Sequence, residues 1–142
     1  MQVEIINLSD NPLPEYQTAG SAGMDLAACL NEVLIIEPGQ QVLVPTGIKI
    51  ALPIGLEAQV RPRSGLSWKK YILIPNSPGT IDSDFREEIK VILYNNGTVP
   101  VAIDNGDRIA QMVIAKYERV EWKLTEQLDV TTRQGGFGST GK

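Results

Sequence analysis

Two short segments carry side chains whose types and spacing suit work on a phosphorylated ligand. Residues 62–66, PRSGL, set a guanidinium (Arg63) beside a hydroxyl (Ser64) and a glycine (Gly65) at the mouth of an expected helix start. Backbone N–H groups at such a start point outward and favour an anion, so the turn reads as a phosphate cradle. Taken alone, an Arg-Ser-Gly turn is more often simply a capped turn. Residues 76–89, NSPGTIDSDFREEI, are more unusual: a Pro-Gly turn leads into Thr80-Ile81-Asp82, then a second acid at Asp84, the aromatic Phe85 and Arg86. Alternation along an extended strand predicts that Asp82 and Asp84 share one face. Both acids can be read as a solvated hairpin edge, or Asp84 as a partner of Arg86, and Asp84 keeps that reading. From Asp129 onward the chain runs DVTTRQGGFGSTGK, with Arg133 and Phe137 set among glycines and hydroxyl residues. Such a stretch is ordinarily disordered. Here the aromatic and the arginine give it the means to wrap a flat anionic ligand once that ligand is bound.

Composition narrows the chemistry. The chain has no histidine, which excludes histidine-based hydrolase triads and Cys/His zinc sites, and its single cysteine, Cys29, has no partner for an internal disulfide. Cys29 reads as a small buried hydrophobe. Thirteen basic against seventeen acidic residues leave a formal charge of −4, which argues against broad attraction to nucleic acid or an anionic membrane. Any bound phosphates would therefore have to be met by a few local groups, alone or with a cation. No apolar run approaches the ~20 residues that span a bilayer, and no basic region leads into an apolar stretch at the N-terminus. The expectation is a soluble, unexported, cytoplasmic protein.

The elements that must position these groups are short strands. At 142 residues the chain has the length of one ordinary domain, and its 42% hydrophobic and 21% charged residues suit a globular core. Runs of β-favouring residues lie at 2–6, 33–36, 41–44, 47–51, 56–60, 72–74, 88–94, 99–103 and 108–115. They are separated by turn signals such as Pro38-Gly39, Pro78-Gly79, Asn96-Gly97 and Asn105-Gly106. Strands at this spacing predict an all-β subunit, a sandwich or jelly roll. One short helix is expected over 64–70, with Ser64 as its N-cap. Residues 1–128 form the expected domain and 129–142 a flexible C-terminal tail.

Five segments in order carry a family resemblance: AGMDL at 22–26, PRSGL at 62–66, NSPGTIDSDF at 76–85, GDRIAQM at 106–112 and GGFGSTG at 135–141. Together they resemble the trimeric dUTP diphosphatases, the dUTPases, over nearly the whole chain. The resemblance implies a jelly-roll homotrimer whose three sites lie between subunits, with a tail that closes over a neighbour's site. It implies hydrolysis of dUTP to dUMP and pyrophosphate with Mg²⁺ on the triphosphate, which keeps uracil out of DNA and supplies dUMP for thymidylate synthesis.

Residue by residue, the resemblance makes Asp82 the carboxylate that orients and deprotonates the attacking water. Asp25 corresponds to the acid that meets Mg²⁺ through water, and Arg63, Ser64 and Gly65 to the phosphate-contacting turn. Gln111 matches an amide that contacts the α-phosphate, whereas Asp107 and Arg108 read as a structural or interface pair. Asn76 opens the hairpin that accepts the base, and the backbone from Gly79 to Ile81 faces the uracil edge. Phe85 packs against the deoxyribose. In the tail, Phe137 corresponds to the ring that stacks on uracil, Arg133 to a γ-phosphate contact, and Ser139 and Thr140 to hydroxyls that close around the phosphates. The chain departs from the family pattern in three places. Glu87 stands where a glycine is common, Ser67-Trp68-Lys69-Lys70-Tyr71 replaces a run of Ala, Lys and Gly, and the Arg133 to Phe137 spacing is one residue shorter. Trp68 and Tyr71 are read as local packing or interface residues. A dCTP deaminase would share the fold but needs an acid at the cytosine amino group, which no motif supplies. A silent nucleotide- or protein-binding paralogue is the rival of another class, and Asp82 speaks against it.

Overall fold

Short aliphatic runs between glycine and proline turns fold into eleven strands and one helix in a computed structural model, which describes residues 1–132 and Gly135. In chain order the elements are β1 (Glu4–Asn7), β2 (Met24–Ala27), β3 (Leu34–Ile36), β4 (Gln41–Pro45), β5 (Ile48–Ala51), β6 (Leu56–Arg61), α1 (Ser64–Lys70), β7 (Ile72–Leu73), β8 (Gly79–Ile81), β9 (Lys90–Asn95), β10 (Val101–Ile103) and β11 (Arg108–Lys116). All strand pairs are antiparallel: a four-stranded sheet β2-β11-β6-β8, a three-stranded sheet β4-β9-β7, and the ribbons β1-β5 and β10-β3. This is the expected jelly-roll sandwich with one short helix.

Period-two alternation explains the layering. On β6, Leu56, Ala58 and Val60 point inward, and on β9, Val91 and Leu93 do the same. They meet Leu26, Ile36, Val44, Ile48, Ile89, Ile103 and Met112 in a single core. Each such Val, Leu, Ile or Met side chain contributes roughly 1.5–3 kcal/mol on burial, so the two main sheets are held by apolar area rather than by polar contacts. Cys29 is half-buried beside this core rather than buried in it.

Nine of the strands fall on the expected runs; β2 and β8 do not. Both are short and carry charge, glycine or threonine, so no hydrophobic alternation marks them. They form because β11 and β6 offer hydrogen-bonding edges. Asp82 and Asp84 are also not on a strand: β8 ends at Ile81, and a turn closed by the Phe85 N–H on the Asp82 carbonyl (3.2 Å) carries both acids.

The helix is capped differently from the expectation. Arg63 is the N-cap, in extended conformation, with no side-chain cap, and Ser64 is the first helical residue. At the other end Tyr71 occupies the left-handed region (φ 55°), and its N–H bonds the Ser67 carbonyl. Glycine is the usual residue for that conformation, which accounts for the glycine of the family pattern near this position. Glu87 needs no glycine, because its φ is not positive and its side chain points to solvent, 3.5 Å from Lys49. Beyond Lys116 the described chain has no regular secondary structure, so the boundary expected at residue 128 falls within an exposed stretch.

Candidate active site

The four-stranded sheet is the platform. Gln111 lies opposite Asp25 of β2 on one side and Arg61 of β6 on the other. Their chain neighbours Leu26, Met112 and Val60 point into the core, so these three polar residues share the outward face. A bulge at the start of β11 sets this phase. Ile109 and Ala110 are both buried, the register shifts between Arg108 and Ala110, and Gln111 is thereby turned outward. Strict alternation from Ile109 would have buried it.

Around this row the side chains interlock. Arg63 donates from Nε to Asp25 Oδ1 (2.7 Å), Arg108 donates from Nη1 to Asp25 Oδ2 (3.1 Å), and Arg63 Nη1 also bonds the Arg108 carbonyl (3.1 Å). The Asp25 side chain is only 20% exposed. Gln111 Nε2 donates to the Pro62 carbonyl (2.8 Å), and a methyl group at Gly23 would stand 2.6 Å from Gln111 Oε1, so glycine there lets the amide sit where it does. Within the chain Asp107 and Arg108 do not pair with each other. Asp107 Oδ2 accepts the Asp104 N–H (2.9 Å), and Arg108 turns to Asp25 because the bulge aims it there. A cleft of about 390 Å³ opens beside the cluster, with Lys69 and Lys70 joining Arg63, Arg108 and Asp107 on its walls. Ser64 and Gly65 are exposed at its edge, and open space surrounds Gly65 where a side chain would begin.

A second group forms on the opposite edge of the sheet. Gly79 is buried, and the Asn76 amide nitrogen lies 3.0 Å from where a Gly79 side chain would start, which brings these two residues together. Ile81 and Phe85 are half-buried against the core, while Asp82 is exposed. Arg86 does not pair with Asp84; its Nη1 donates to the carbonyls of Ser83 (2.7 Å) and Phe85 (2.9 Å).

The two groups do not meet within one chain. β2 and β8 are the outer strands of the sheet, three strand spacings or about 14 Å apart. Ile81 pairs with Ala58 while Gln111 pairs with Arg61, an offset of about 10 Å along β6. Arg133, Phe137, Ser139 and Thr140 lie outside the described residues.

The donor set offers no metal cage: no group of three His, Cys, Asp or Glu stands together among the described residues. Asp25 holds a guanidinium on each oxygen, and each oxygen keeps a further lone pair for a water. That fits an ion carried mainly by phosphates and water, the habit of Mg²⁺, better than a protein-held ion.

The model of the family described as dUTPase matches residues 9–141 of this chain. The chain belongs to the dUTPase family. Proteins of two Rickettsia bellii strains named deoxyuridine 5'-triphosphate nucleotidohydrolase are 56% identical to it over 99% of this chain and 95% of theirs. Among solved structures it resembles a variant dUTPase of Staphylococcus bacteriophage 80alpha holding dUpNHpp, with TM-score 0.90 and 25% identity over 99% of this chain and 98% of that one. A mutant of the dUTPase of phage phi11 of S. aureus, whose structure reveals coordination of a structural Mg(II) ion, shares the fold at TM-score 0.83 and 22% identity, covering 92% of this chain and all of that one. For two residues of this dUTPase's cluster the sequence did not show the partner: Arg108 to Asp25, and Gly23 to Gln111. Arg108 was hidden by the bulge, whose signal is the adjacent apolar pair Ile109-Ala110. Gly23 was legible only as the residue before Met24-Asp25, without its contact to Gln111.

Proposed function

We propose that this dUTPase, a dUTP diphosphatase, cleaves dUTP to dUMP and pyrophosphate at sites completed by a neighbouring subunit of a homotrimer. The observation that carries the shared site is the separation of the Asp25–Arg63–Arg108–Gln111 cluster from the Asp82–Phe85 turn across the four-stranded sheet. A single chain holds a phosphate-binding half and a base-reading half too far apart for one nucleotide's α-phosphate. Exposed apolar side chains support assembly: Trp68 is 83% exposed and Trp122 93%. Closed threefold symmetry would give each of the sites the same two halves.

In this reading Arg63, Ser64, Gly65 and Gln111 hold the triphosphate, and the open space at Gly65 admits a phosphate close to the backbone. The backbone at Gly79 and Ile81, steadied by Asn76, offers a donor and an acceptor to uracil, and cytosine is rejected because its 4-position reverses them. Phe85 occupies the space a 2′-hydroxyl would need. Asp82 takes a proton from a water placed in line with the α-phosphorus as that water's oxygen bonds to phosphorus; the bond to the bridging oxygen breaks and pyrophosphate leaves. Bound Mg²⁺ would neutralise charge on the phosphates, with Asp25 reaching its waters. From the tail, Phe137 stacks on the base, and Arg133, Ser139 and Thr140 close around the phosphates. The chain's formal charge of −4 suits an enzyme acting on a small substrate rather than on nucleic acid, and we place that reaction in the cytoplasm.

Pyrophosphate release measured side by side with dUTP, dCTP, dTTP and UTP tests this reading. Turnover of dUTP far above the other three is expected. Ammonia release from dCTP, or no turnover of any, would overturn it.

A further inference from the structure

Arg86 has no carboxylate partner among the described residues, although Asp82, Asp84 and Glu88 lie within four positions of it. Instead a single guanidinium nitrogen, Nη1, bonds the Ser83 carbonyl at 2.7 Å and the Phe85 carbonyl at 2.9 Å. These carbonyls belong to the middle and the end of the turn that the Phe85 N–H closes on the Asp82 carbonyl. The turn presents Asp82 at its first position, exposed, and Phe85 at its last, half-buried. Just beyond, Glu88 accepts the Gly47 N–H (2.7 Å) and the Ile89 N–H bonds the Ile48 carbonyl (2.8 Å), so the chain leaving the turn is tied to β5.

We propose that Arg86 is a positioning residue for the reaction: it clasps the 82–85 turn so that the Asp82 carboxylate and the Phe85 ring keep a fixed relation to each other. The inference rests on the reading of Asp82 as base and Phe85 as sugar filter. Apart from the packing of Phe85 against the core, the four residues of the turn are otherwise closed by one backbone hydrogen bond of 3.2 Å. A charge-assisted bond to each of two carbonyls is stronger than a neutral one and directional. The arrangement also directs the cation to backbone rather than to Asp82. A guanidinium on a carboxylate lowers its affinity for a proton, the reverse of what a general base needs.

The consequence is a coupled signature. Loss of Asp82 alone removes turnover, and loss of Phe85 alone relaxes the choice between dUTP and UTP. Loosening the turn that carries both changes the two quantities together. Arg86→Ala is expected to lower kcat by about 10- to 100-fold, the scale of a misplacement near 1 Å, and to narrow the dUTP/UTP ratio of kcat/KM. KM for dUTP should change little, since the phosphate cluster is untouched. Arg86→Lys, whose ammonium carries several donors, should recover most of both losses. Lys49→Met, which breaks only the exposed pair with Glu87, should leave both at the parental value.

The experiment measures kcat, KM and the dUTP/UTP ratio for these variants alongside Asp82→Asn, with thermal melting and mass in solution as checks. Arg86→Met keeps the aliphatic stem and removes only the donors, so it decides the matter if Arg86→Ala does not fold. Unchanged kcat and ratio in the folded Ala or Met variant overturns the proposal, as does loss of kcat with an unchanged ratio. Near-parental turnover in Asp82→Asn would instead overturn the reading of Asp82 itself, whatever Arg86 does.

Discussion

Asp25 and Asp82 are carboxylates on opposite edges of one sheet, and their surroundings differ in kind. Asp25 is four-fifths covered and joined to Arg63 and Arg108, whereas Asp82 faces solvent and its side chain has no hydrogen-bond partner among the described residues. The first region is pre-organised: Gln111, Pro62, Arg63, Arg108 and Asp25 hold one another, so in the proposed reading phosphates would meet groups already in place. The second is shaped by backbone, with its carboxylate open to solvent and, in the proposed reading, free to take up a water. The difference teaches which losses should appear in binding and which in turnover.

The comparison predicts its largest effect at the open acid. Asp82→Asn should reduce kcat by at least ~10²-fold, the usual scale for a lost general base, while dUpNHpp binds as tightly as to the parent. Calorimetry and pyrophosphate release on one preparation check both. At the covered acid the order reverses. Asp25→Asn releases one guanidinium of the pair, and KM for dUTP should rise about tenfold, the worth of one charge-assisted hydrogen bond, with kcat changed far less. A kcat loss as large as that of Asp82→Asn would erase the distinction between the two regions.

A smaller effect sharpens the same contrast. Gly23→Ala places a methyl group against Gln111 Oε1, so the amide must leave the Pro62 carbonyl, and kcat/KM should fall by about fivefold with stability nearly kept. Steady-state kinetics of Gly23→Ala together with Gln111→Ala gives the check: the double variant should be no worse than Gln111→Ala alone. The smallest effect lies outside both regions. Tyr71→Gly relieves the left-handed conformation at the end of α1 and should raise stability by about 1 kcal/mol, read as a higher melting temperature, without altering turnover.

Much of this molecule was legible in its residues, and the gaps have physical causes. Strands with alternating aliphatic residues, such as β6 and β9, announced themselves because burial of one face leaves a period of two. β2 and β8, which carry Asp25 and the Gly79–Ile81 backbone, did not, because their pairing is imposed by neighbours and each is too short, with a single fully buried residue, to show an alternation. The order of the segments named the family, yet sequence spacing placed Asp82 and Asp84 on a strand where a turn stands. It also did not show Arg108 at Asp25, because a one-residue bulge is invisible to alternation until the burial of both Ile109 and Ala110 is known.

The central claim is that the cluster around Asp25 in one chain works with the Asp82 turn of another, and subunit mixing tests it most directly. Asp82→Asn and Arg63→Ala are unfolded together in equal amounts, refolded and assayed for pyrophosphate release at dUTP well below the parental KM, where each variant alone is strongly impaired. If each site draws Asp82 and Arg63 from different chains, random assembly leaves about one site in four with both residues intact, and about a quarter of the parental turnover returns. If both residues of a site come from one chain, every site lacks one of them in every mixture, and turnover that stays at the level of the separate variants would contradict the account.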